Sequence, residues 1–285
     1  MKRIGFFVGH ADYLPHATLL ANSIQRRSVF GEDVEIFALV PEHLEFRLDI
    51  PGVTQIPFQV LVEYRTIPFV DKMFAAAAFE EACGDQYLWM DVDSCFFAAP
   101  IFPDDAEICI NPVDKRNIGD LYGAPRSGLW QLLSEYFHLE NRPAACGSLV
   151  TTVSREAIYP YFNVGMVAVR KHRGVFSLVR VALNELLRRA EVLDLLHGAK
   201  INAVFIHQAV FTCAVMSLYG ADSVKPLPRG VNYPLHLHDN HPNPMALTDL
   251  ISIRYDTYFE SHGVPACWQE LFPKTPESLR MAWYY

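Results

Sequence analysis

Short hydrophobic runs and helical patterns alternate along the first third of the chain. Near-continuous apolar runs predict strands that are buried on both faces, as in a parallel sheet, at residues 4–8, 34–40, 53–58 and 87–90. Apolar positions three and four residues apart, and an alanine-rich stretch, predict helices at residues 16–27 and 69–82. This order of elements predicts an α/β fold with a mostly parallel central sheet flanked by helices.

The pattern is less regular in the rest of the chain. Apolar residues at helical spacing predict a single helix over residues 175–197, which Gly198 ends. Other predicted elements are strands at residues 106–110, 162–169, 224–227 and 251–255, and helices at 129–139 and 207–218. Beyond residue 227, many prolines and histidines predict a loop-rich C-terminal extension that ends in a helical tail. No repeat or low-complexity linker is found, so residues 1–285 are predicted to form a single domain.

Composition and charge narrow the class of protein. A chain of 285 residues that is 51% hydrophobic can bury the core of one large α/β domain. The formal net charge is −8, and no run of Lys and Arg exceeds three residues. We therefore expect no nucleic-acid partner.

The cysteines and the N-terminus bear on location. Six cysteines are scattered without C-x-x-C spacing, which predicts reduced core residues in a cytoplasmic protein rather than disulfides or a zinc site. The apolar run at residues 4–8 is too short for a signal peptide, and His10 and Asp12 keep it from continuing. No stretch approaches the ~20 apolar residues of a membrane span, so no transmembrane segment is expected.

Two acids directly follow the predicted strand at residues 87–90. Asp91 and Asp93 are spaced i, i+2, so in an extended chain their side chains point to the same side. At ~4 Å and an effective dielectric near 20, two carboxylates repel by about 4 kcal/mol. Mg²⁺ or Mn²⁺ would remove this repulsion and could hold a diphosphate. The alternative interpretation is a strand end whose acids cap the next turn or pair with Lys or Arg.

Several segments together suggest a family. They are the loop after the first strand with Asp12 and Tyr13, Lys72 on a helix, the strand with Asp91 and Asp93, the Asn163–Gly165 pair within residues 161–167, and the L-P-x-x-x-N sequence of residues 227–232. In these segments the chain resembles GT-A-fold glycosyltransferases, and among them the glycogenin-like group that includes bacterial lipopolysaccharide galactosyltransferases. The resemblance covers residues 1 to about 240.

The resemblance implies transfer of a sugar from a UDP-sugar, with retention of configuration, assisted by Mn²⁺ or Mg²⁺. Asp91 would reach toward the ribose and the metal, and Asp93 would ligate the metal directly. Lys72 would add positive charge beside the phosphates. The third metal ligand would be one of three histidines, His236, His238 and His241, of which His238 is chosen.

The resemblance also implies a set of donor-binding residues. The nucleotide would be bound by Gly9, His10, Asp12 and Tyr13. The donor sugar would lie beside Asn163 and Gly165, whose alternative role is to shape a turn. Gln208 would be a catalytic residue. Residues 1–110 would then form a nucleotide-sugar-binding half, and residues 111–285 an acceptor-side half with the C-terminal extension.

The chain departs from the group in two places. His207 stands where the group has an aspartate that contacts the donor sugar. Arg254, in the predicted strand at 251–255, stands where the group usually carries its histidine ligand; it either contacts the diphosphate or pairs with an acid.

Other functions stay open from the sequence. One is a nucleotidyltransferase, although the loop after the first strand is neither glycine-rich nor basic. Another is a non-catalytic protein that binds a sugar nucleotide or a glycan. The acceptor could be a glycan, a lipid-linked glycan or a small molecule.

Overall fold

A seven-stranded sheet forms the centre of the molecule. The computed structural model describes residues 2–26, 30, 33–139 and 147–269. The strands of this sheet are β1 (Arg3–Phe7), β2 (Glu35–Pro41), β3 (Val53–Phe58), β4 (Tyr87–Met90), β6 (Ile108–Cys109), β9 (Met166–Val169) and β10 (Val224–Lys225). Their order is β10-β6-β9-β4-β1-β2-β3, and β9 alone runs antiparallel to its neighbours. The prediction of a mostly parallel sheet is confirmed.

Helices cover both faces of this sheet. The helices are α1 (Leu14–Arg26), α2 (Val70–Cys83), α3 (Gly128–Tyr136), α4 (Val175–Leu186), α5 (Ala190–Gly198) and α6 (Lys200–Leu218), while α7 (Tyr258–His262) packs with a smaller sheet. Alternate residues of β1 face the two sides: Ile4 and Phe6 pack in the core with α1. On the other side, a Cβ on Gly5 would lie 2.6 Å from the Phe79 ring of α2, so glycine lets this helix pack closely on the sheet.

Two smaller sheets complete the fold. One contains β11 (Tyr233–Pro234), β12 (Ser252–Arg254) and β5 (Ser94–Phe96), in that order, and packs with α7 in a third core cluster. The other is a hairpin of β7 (Leu149–Val150) and β8 (Ala157–Ile158). Because β5 follows β4 by three residues, the first small sheet lies directly beside the carboxyl end of β4.

Three predicted elements differ from the structure. The single helix over residues 175–197 is wrong: α4 ends at Leu186, and Arg189 has extended backbone angles before α5 begins. The following helix begins at Lys200, not at residue 207. The strand at residues 162–169 is limited to β9, because Asn163 turns away to pair its backbone N–H with the carbonyl of Asn111. The predicted helical tail lies outside the described residues.

Helix α6 corrects the expectation about membrane spans. Its 19 residues have a mean hydropathy of 1.6 over an 18-residue window, so it is long and apolar enough to cross a bilayer. Within the protein, 61% of that window is buried, and the helix packs against α3, α4 and α5. These properties are those of a core helix.

Candidate functional site

Asp91 and Asp93 lie at the carboxyl edge of the central sheet. Strand β4 ends at Met90, between β1 and β9, and the Asp91 backbone N–H donates to the Gly165 carbonyl at 2.8 Å. The chain then crosses into β5 of the small sheet, so the two acids occupy the junction between both sheets. Ligands of open α/β sheets bind outside this end of the strands.

Asp93 is a buried carboxyl group with acidic neighbours. Its side chain accepts a hydrogen bond from the Asp256 backbone N–H at 3.2 Å, and the residue is only 3% exposed. Burial, and then the charges of Asp91 and Asp256, raise the pKa of Asp93 to about 7, although Arg254 and Lys72 act in the opposite sense. The ionised form of Asp93 is therefore disfavoured, mainly because the carboxyl group is buried.

Lys72 forms an ion pair with Asp91 from helix α2. The lysine is 5% exposed, and its ammonium group also lies 5.8 Å from the centre of the Phe69 ring. Phe69 has a left-handed backbone (φ 61°) at the start of this helix, which turns the chain into the site. The alternative interpretation of the acids, a pair with a basic residue, is thus observed for Asp91.

Arg254 enters the site from β12. Its Nη2 donates to Asp114, which also accepts from the Thr152 hydroxyl. Burial opposes the charge on Arg254, but the carboxylates of Asp114, Asp93 and Asp91 outweigh this and raise its pKa above the usual value. Arg254 does therefore pair with an acid, as one of its two interpretations expects.

Asn163 and Gly165 shape the wall beside the acids. The Asn163 side-chain oxygen accepts from the Gly165 N–H at 2.6 Å, which holds the turn into β9. A Cβ on Gly165 would lie 2.8 Å from that oxygen and 3.0 Å from both Arg254 Nη1 and Asp91 Oδ2. Glycine keeps this space open.

Two cavities meet at these residues and share Phe69, Lys72, Asp91 and Asp93. The first cavity, of about 390 Å³, is otherwise lined by Phe7, Gly9, His10, Tyr13, Arg65, Thr66, Ile67, Pro68, Asp71 and Val92. The second cavity, of about 440 Å³, is otherwise lined by Val113, Asp114, Lys115, Asn117, Asn163, Gly165, Val204, Phe205, His207, Gln208, His236, Leu237, Arg254 and Asp256. Both lie in the size range of small-molecule sites.

The predicted nucleotide-binding residues are placed in part in the first cavity. Gly9, His10 and Tyr13 line it. Asp12 does not: its carboxylate is exposed and lies 3.3 Å from His10 Nδ1. The structure thus brings three of these four residues to one cavity.

His207 and Gln208, in the middle of α6, form hydrogen bonds with other residues of the protein. Gln208 accepts from the Val164 N–H at 3.2 Å and its amide lies 3.4 Å from the Tyr161 hydroxyl. His207 Nδ1 lies 3.0 Å from the Val204 carbonyl, so that nitrogen carries the proton. Burial, and then the charge of Lys72, hold the pKa of His207 well below its usual value, so its ring is neutral.

The histidine beside the acids is His236, not the expected His238. His236 lines the second cavity and lies 4.0 Å from the Asp256 carboxylate. His238 does not line either cavity and contacts the Tyr233 hydroxyl at 3.0 Å. Residues 235–240 form a 3₁₀ helix, which rotates about 120° per residue, so side chains two positions apart diverge.

The side chains of the site have the chemistry to bind a divalent cation. Among the described residues, no three His, Cys, Asp or Glu side chains converge on one metal position. Mg²⁺ is usually held by one or two carboxylates together with phosphates and waters, a role that Asp91 and Asp93 could fill. A bound cation would offset the burial and the two neighbouring carboxylates that raise the pKa of Asp93.

Three acids of the site were missed from the sequence. Asp114 and Asp256 line the second cavity, and Asp71 lines the first. Burial raises the pKa of Asp71 to about 6, although it accepts a hydrogen bond from the Lys72 N–H at 2.8 Å. Asp114 and Asp256 each follow a predicted strand within a few residues. This position is the feature of the sequence from which they could have been found.

Solved structures of similar fold are glycosyltransferases. No family model matches the sequence, and no curated protein matches it significantly. An active-site mutant of LgtC is 12% identical over 96% of both chains, with a TM-score of 0.54. The bifunctional glycosyltransferase WbbM is 14% identical over 98% of this chain, with a TM-score of 0.50. A galactosyltransferase LgtC complex with donor and acceptor sugar analogues is 12% identical over 94% of this chain and 99% of LgtC, with a TM-score of 0.49.

The chain spans 50% of the length of WbbM but nearly all of LgtC. At these identities the similarity concerns the fold. This chain has the GT-A fold of glycosyltransferases, which confirms the fold that its sequence predicts.

Proposed function

We propose that this protein is a metal-dependent glycosyltransferase that transfers a sugar from a UDP-sugar to an acceptor, with retention of configuration. One observation carries the proposal: the pair of acids, Asp91 and Asp93, lies where two cavities meet at the carboxyl edge of a GT-A sheet. A nucleoside would occupy the first cavity and a sugar the second, since both cavities have volumes in the range of small-molecule sites. The diphosphate between them would then lie at the paired acids.

Asp91 and Asp93 would hold Mn²⁺ or Mg²⁺, with Asp256 and His236 close by. A bound divalent cation supplies neutralisation of the charge that develops on a departing diphosphate. Lys72, which pairs with Asp91, would contribute to the same neutralisation as a compact cation beside the phosphates.

The second cavity would position the donor sugar. Asn163 and Gly165 form one wall, and Gln208 and His207 form another. Gln208 contacts the Val164 N–H and the Tyr161 hydroxyl. We therefore propose that its first role is to fix the positions of these two residues, ahead of any direct part in the reaction. The neutral His207 can accept a hydrogen bond from a sugar hydroxyl through Nε2, because Nδ1 donates to Val204.

The acceptor would be a glycan, a lipid-linked glycan or a small molecule at the open side of the second cavity. We also propose a cytoplasmic location. Four of the five described cysteines are buried, as expected for core thiols, whereas Cys267 is exposed and Cys146 lies outside the described residues.

The test is calorimetric titration of UDP with and without Mn²⁺, followed by assay of UDP release from a panel of sugar nucleotides. We expect Mn²⁺-dependent binding of UDP and release from at least one donor. The matched variants are Asp93→Asn, which should lose Mn²⁺-dependent binding by at least about a hundredfold, and Asp222→Asn, an exposed acid outside both cavities, which should not.

The outcomes separate the other functions. UDP binding without release from any donor would indicate a non-catalytic binding protein. Preference for a nucleoside triphosphate, with release of pyrophosphate, would indicate a nucleotidyltransferase. If Asp93→Asn binds UDP as tightly as the wild type, the metal assignment is wrong.

A further inference from the structure

Arg254 places a permanent positive charge inside the second cavity. Its side chain is 11% exposed, and the hydrogen bond to Asp114 uses Nη2. Nη1 lies over Gly165, since a Cβ there would be 3.0 Å from Nη1 and 3.0 Å from Asp91 Oδ2. A guanidinium group has five N–H donors in a planar fork, so donors remain for a second partner.

The charges of the second cavity define what that partner can be. Four acids line it (Asp91, Asp93, Asp114 and Asp256) together with three cations (Lys72, Lys115 and Arg254). An anion that arrives with a divalent cation is therefore favoured over either ion alone, because the walls are nearly balanced in charge. Among these cations, Arg254 comes from β12 and Lys72 from α2, so an anion near Asp91 would be approached from two elements.

We propose that Arg254 is an anion-binding residue of the second cavity and contacts the diphosphate of the bound nucleotide. This inference rests on the proposed function. In the nucleotide-free protein Asp114 holds the guanidinium in place; the phosphate oxygens then bind the remaining N–H groups. The planar fork of arginine matches phosphate oxygens better than a lysine ammonium group does.

A positive charge at Arg254 should have opposite effects on the binding of a divalent cation and on the binding of the diphosphate. Arg254 repels a bare divalent cation at Asp91 and Asp93, and it attracts the diphosphate. Arg254→Gln should therefore weaken binding of UDP and leave binding of Mn²⁺ alone unchanged or tighter. A residue that only supports the fold would weaken both.

The experiment measures four titrations on the wild type and on Arg254→Gln: UDP with Mn²⁺, pyrophosphate with Mn²⁺, uridine, and Mn²⁺ alone by electron paramagnetic resonance. We expect the affinity for UDP and pyrophosphate to fall about tenfold to a hundredfold, the range for a charge-assisted hydrogen bond. Uridine affinity should change less than about threefold, as for a contact to phosphate only. Arg254→Lys should recover part of the loss.

Controls make each outcome decisive. Arg180→Gln removes an arginine that pairs with Glu81 on the outer helices, and it should change none of the titrations. If Arg254→Gln does not fold, Arg254→Lys gives the same comparison with a smaller loss. Equal UDP affinity in the wild type and the variant, or a joint loss for UDP, uridine and Mn²⁺, would overturn the proposal. Pyrophosphate bound by the wild type but not by the variant supports Arg254 even where UDP fails to bind, which would be a failure of the proposed function.

Discussion

The first and second cavities share four residues but differ in their walls and in how the sequence encodes them. The first is lined by residues between Phe7 and Asp93, many of them apolar. The second is lined by segments from Phe69 to Asp256 and contains four acids and three cations. A recognition surface for a nucleoside can be built from one compact stretch of chain. A charged site needs groups of both signs that distant segments bring together.

The difference shows that charge, more than shape, defines the second cavity. Besides the shared Lys72, Asp91 and Asp93, the first cavity adds one acid and one cation, Asp71 and Arg65, to largely apolar walls. In the second, the partners of three acids are Lys72 for Asp91, the Asp256 N–H for Asp93, and Arg254 for Asp114, and the Asp256 carboxylate lies 4.0 Å from His236. Substitutions of charged residues should therefore alter ligand binding in the second cavity most. Substitutions that keep the charge should alter binding in one cavity and not in the other.

Asp93→Asn should produce the largest change. In the folded protein the pKa of Asp93 is about 7, above the value of 3.8 expected when unfolded. Ionisation therefore opposes folding, so the wild type loses stability as pH rises from about 4 to about 7. Without metal, the variant should be more stable than the wild type at about pH 8 by a few kcal/mol, and the difference should vanish at about pH 4.

Urea unfolding with EDTA at several pH values measures this effect. Asp71, whose pKa is also raised, is present in both proteins and cancels in the comparison. A variant that is less stable than the wild type at about pH 8 would contradict the burial and repulsion that define the site.

Gly165→Ala should produce an intermediate change centred on the second cavity. The added methyl group would lie within 3.0 Å of Asn163, Arg254 and Asp91, so these side chains must move. We expect a stability loss of about 1 kcal/mol and weaker UDP-sugar binding, with unchanged uridine binding in the first cavity.

Gly198→Ala is the matched control, because nothing lies within 4 Å of a Cβ there. Thermal unfolding and titration of both ligands give the comparison. An equal loss of uridine and UDP-sugar affinity in Gly165→Ala would show that the two cavities do not act separately.

The sequence named six of the fourteen residues that line the first cavity, among them Asp91 and Asp93. Strands β3 and β4 have the predicted bounds, and the ion pair of Lys72 with Asp91 agrees with a basic residue near the acids. Local hydrophobic patterns specify parallel strands, and the ends of parallel strands meet at one edge. Asp91 and Asp93 could therefore be placed from their position after β4.

The second cavity could be predicted only in part. The pair of Asp114 with Arg254 joins residues 140 positions apart, which no local pattern encodes. The sequence did not separate His236 from His238, and the 3₁₀ turn at residues 235–240 places His236 in the cavity. Likewise, helical periodicity continues across the break between α4 and α5, so periodicity cannot show that the helix ends at Leu186.

Asp12→Asn should produce the smallest change, and it tests whether this exposed acid beside the first cavity takes part in binding the nucleoside. Asp12 is exposed and pairs with His10 at 3.3 Å, and such pairs contribute about 0–1 kcal/mol. Uridine affinity should change by less than about twofold, whereas Tyr13→Ala, which removes an aromatic ring from the wall, should weaken it about tenfold. Calorimetry with uridine measures both variants. A tenfold loss in Asp12→Asn would place its carboxylate on the bound nucleoside, although it does not line the cavity in the nucleotide-free protein.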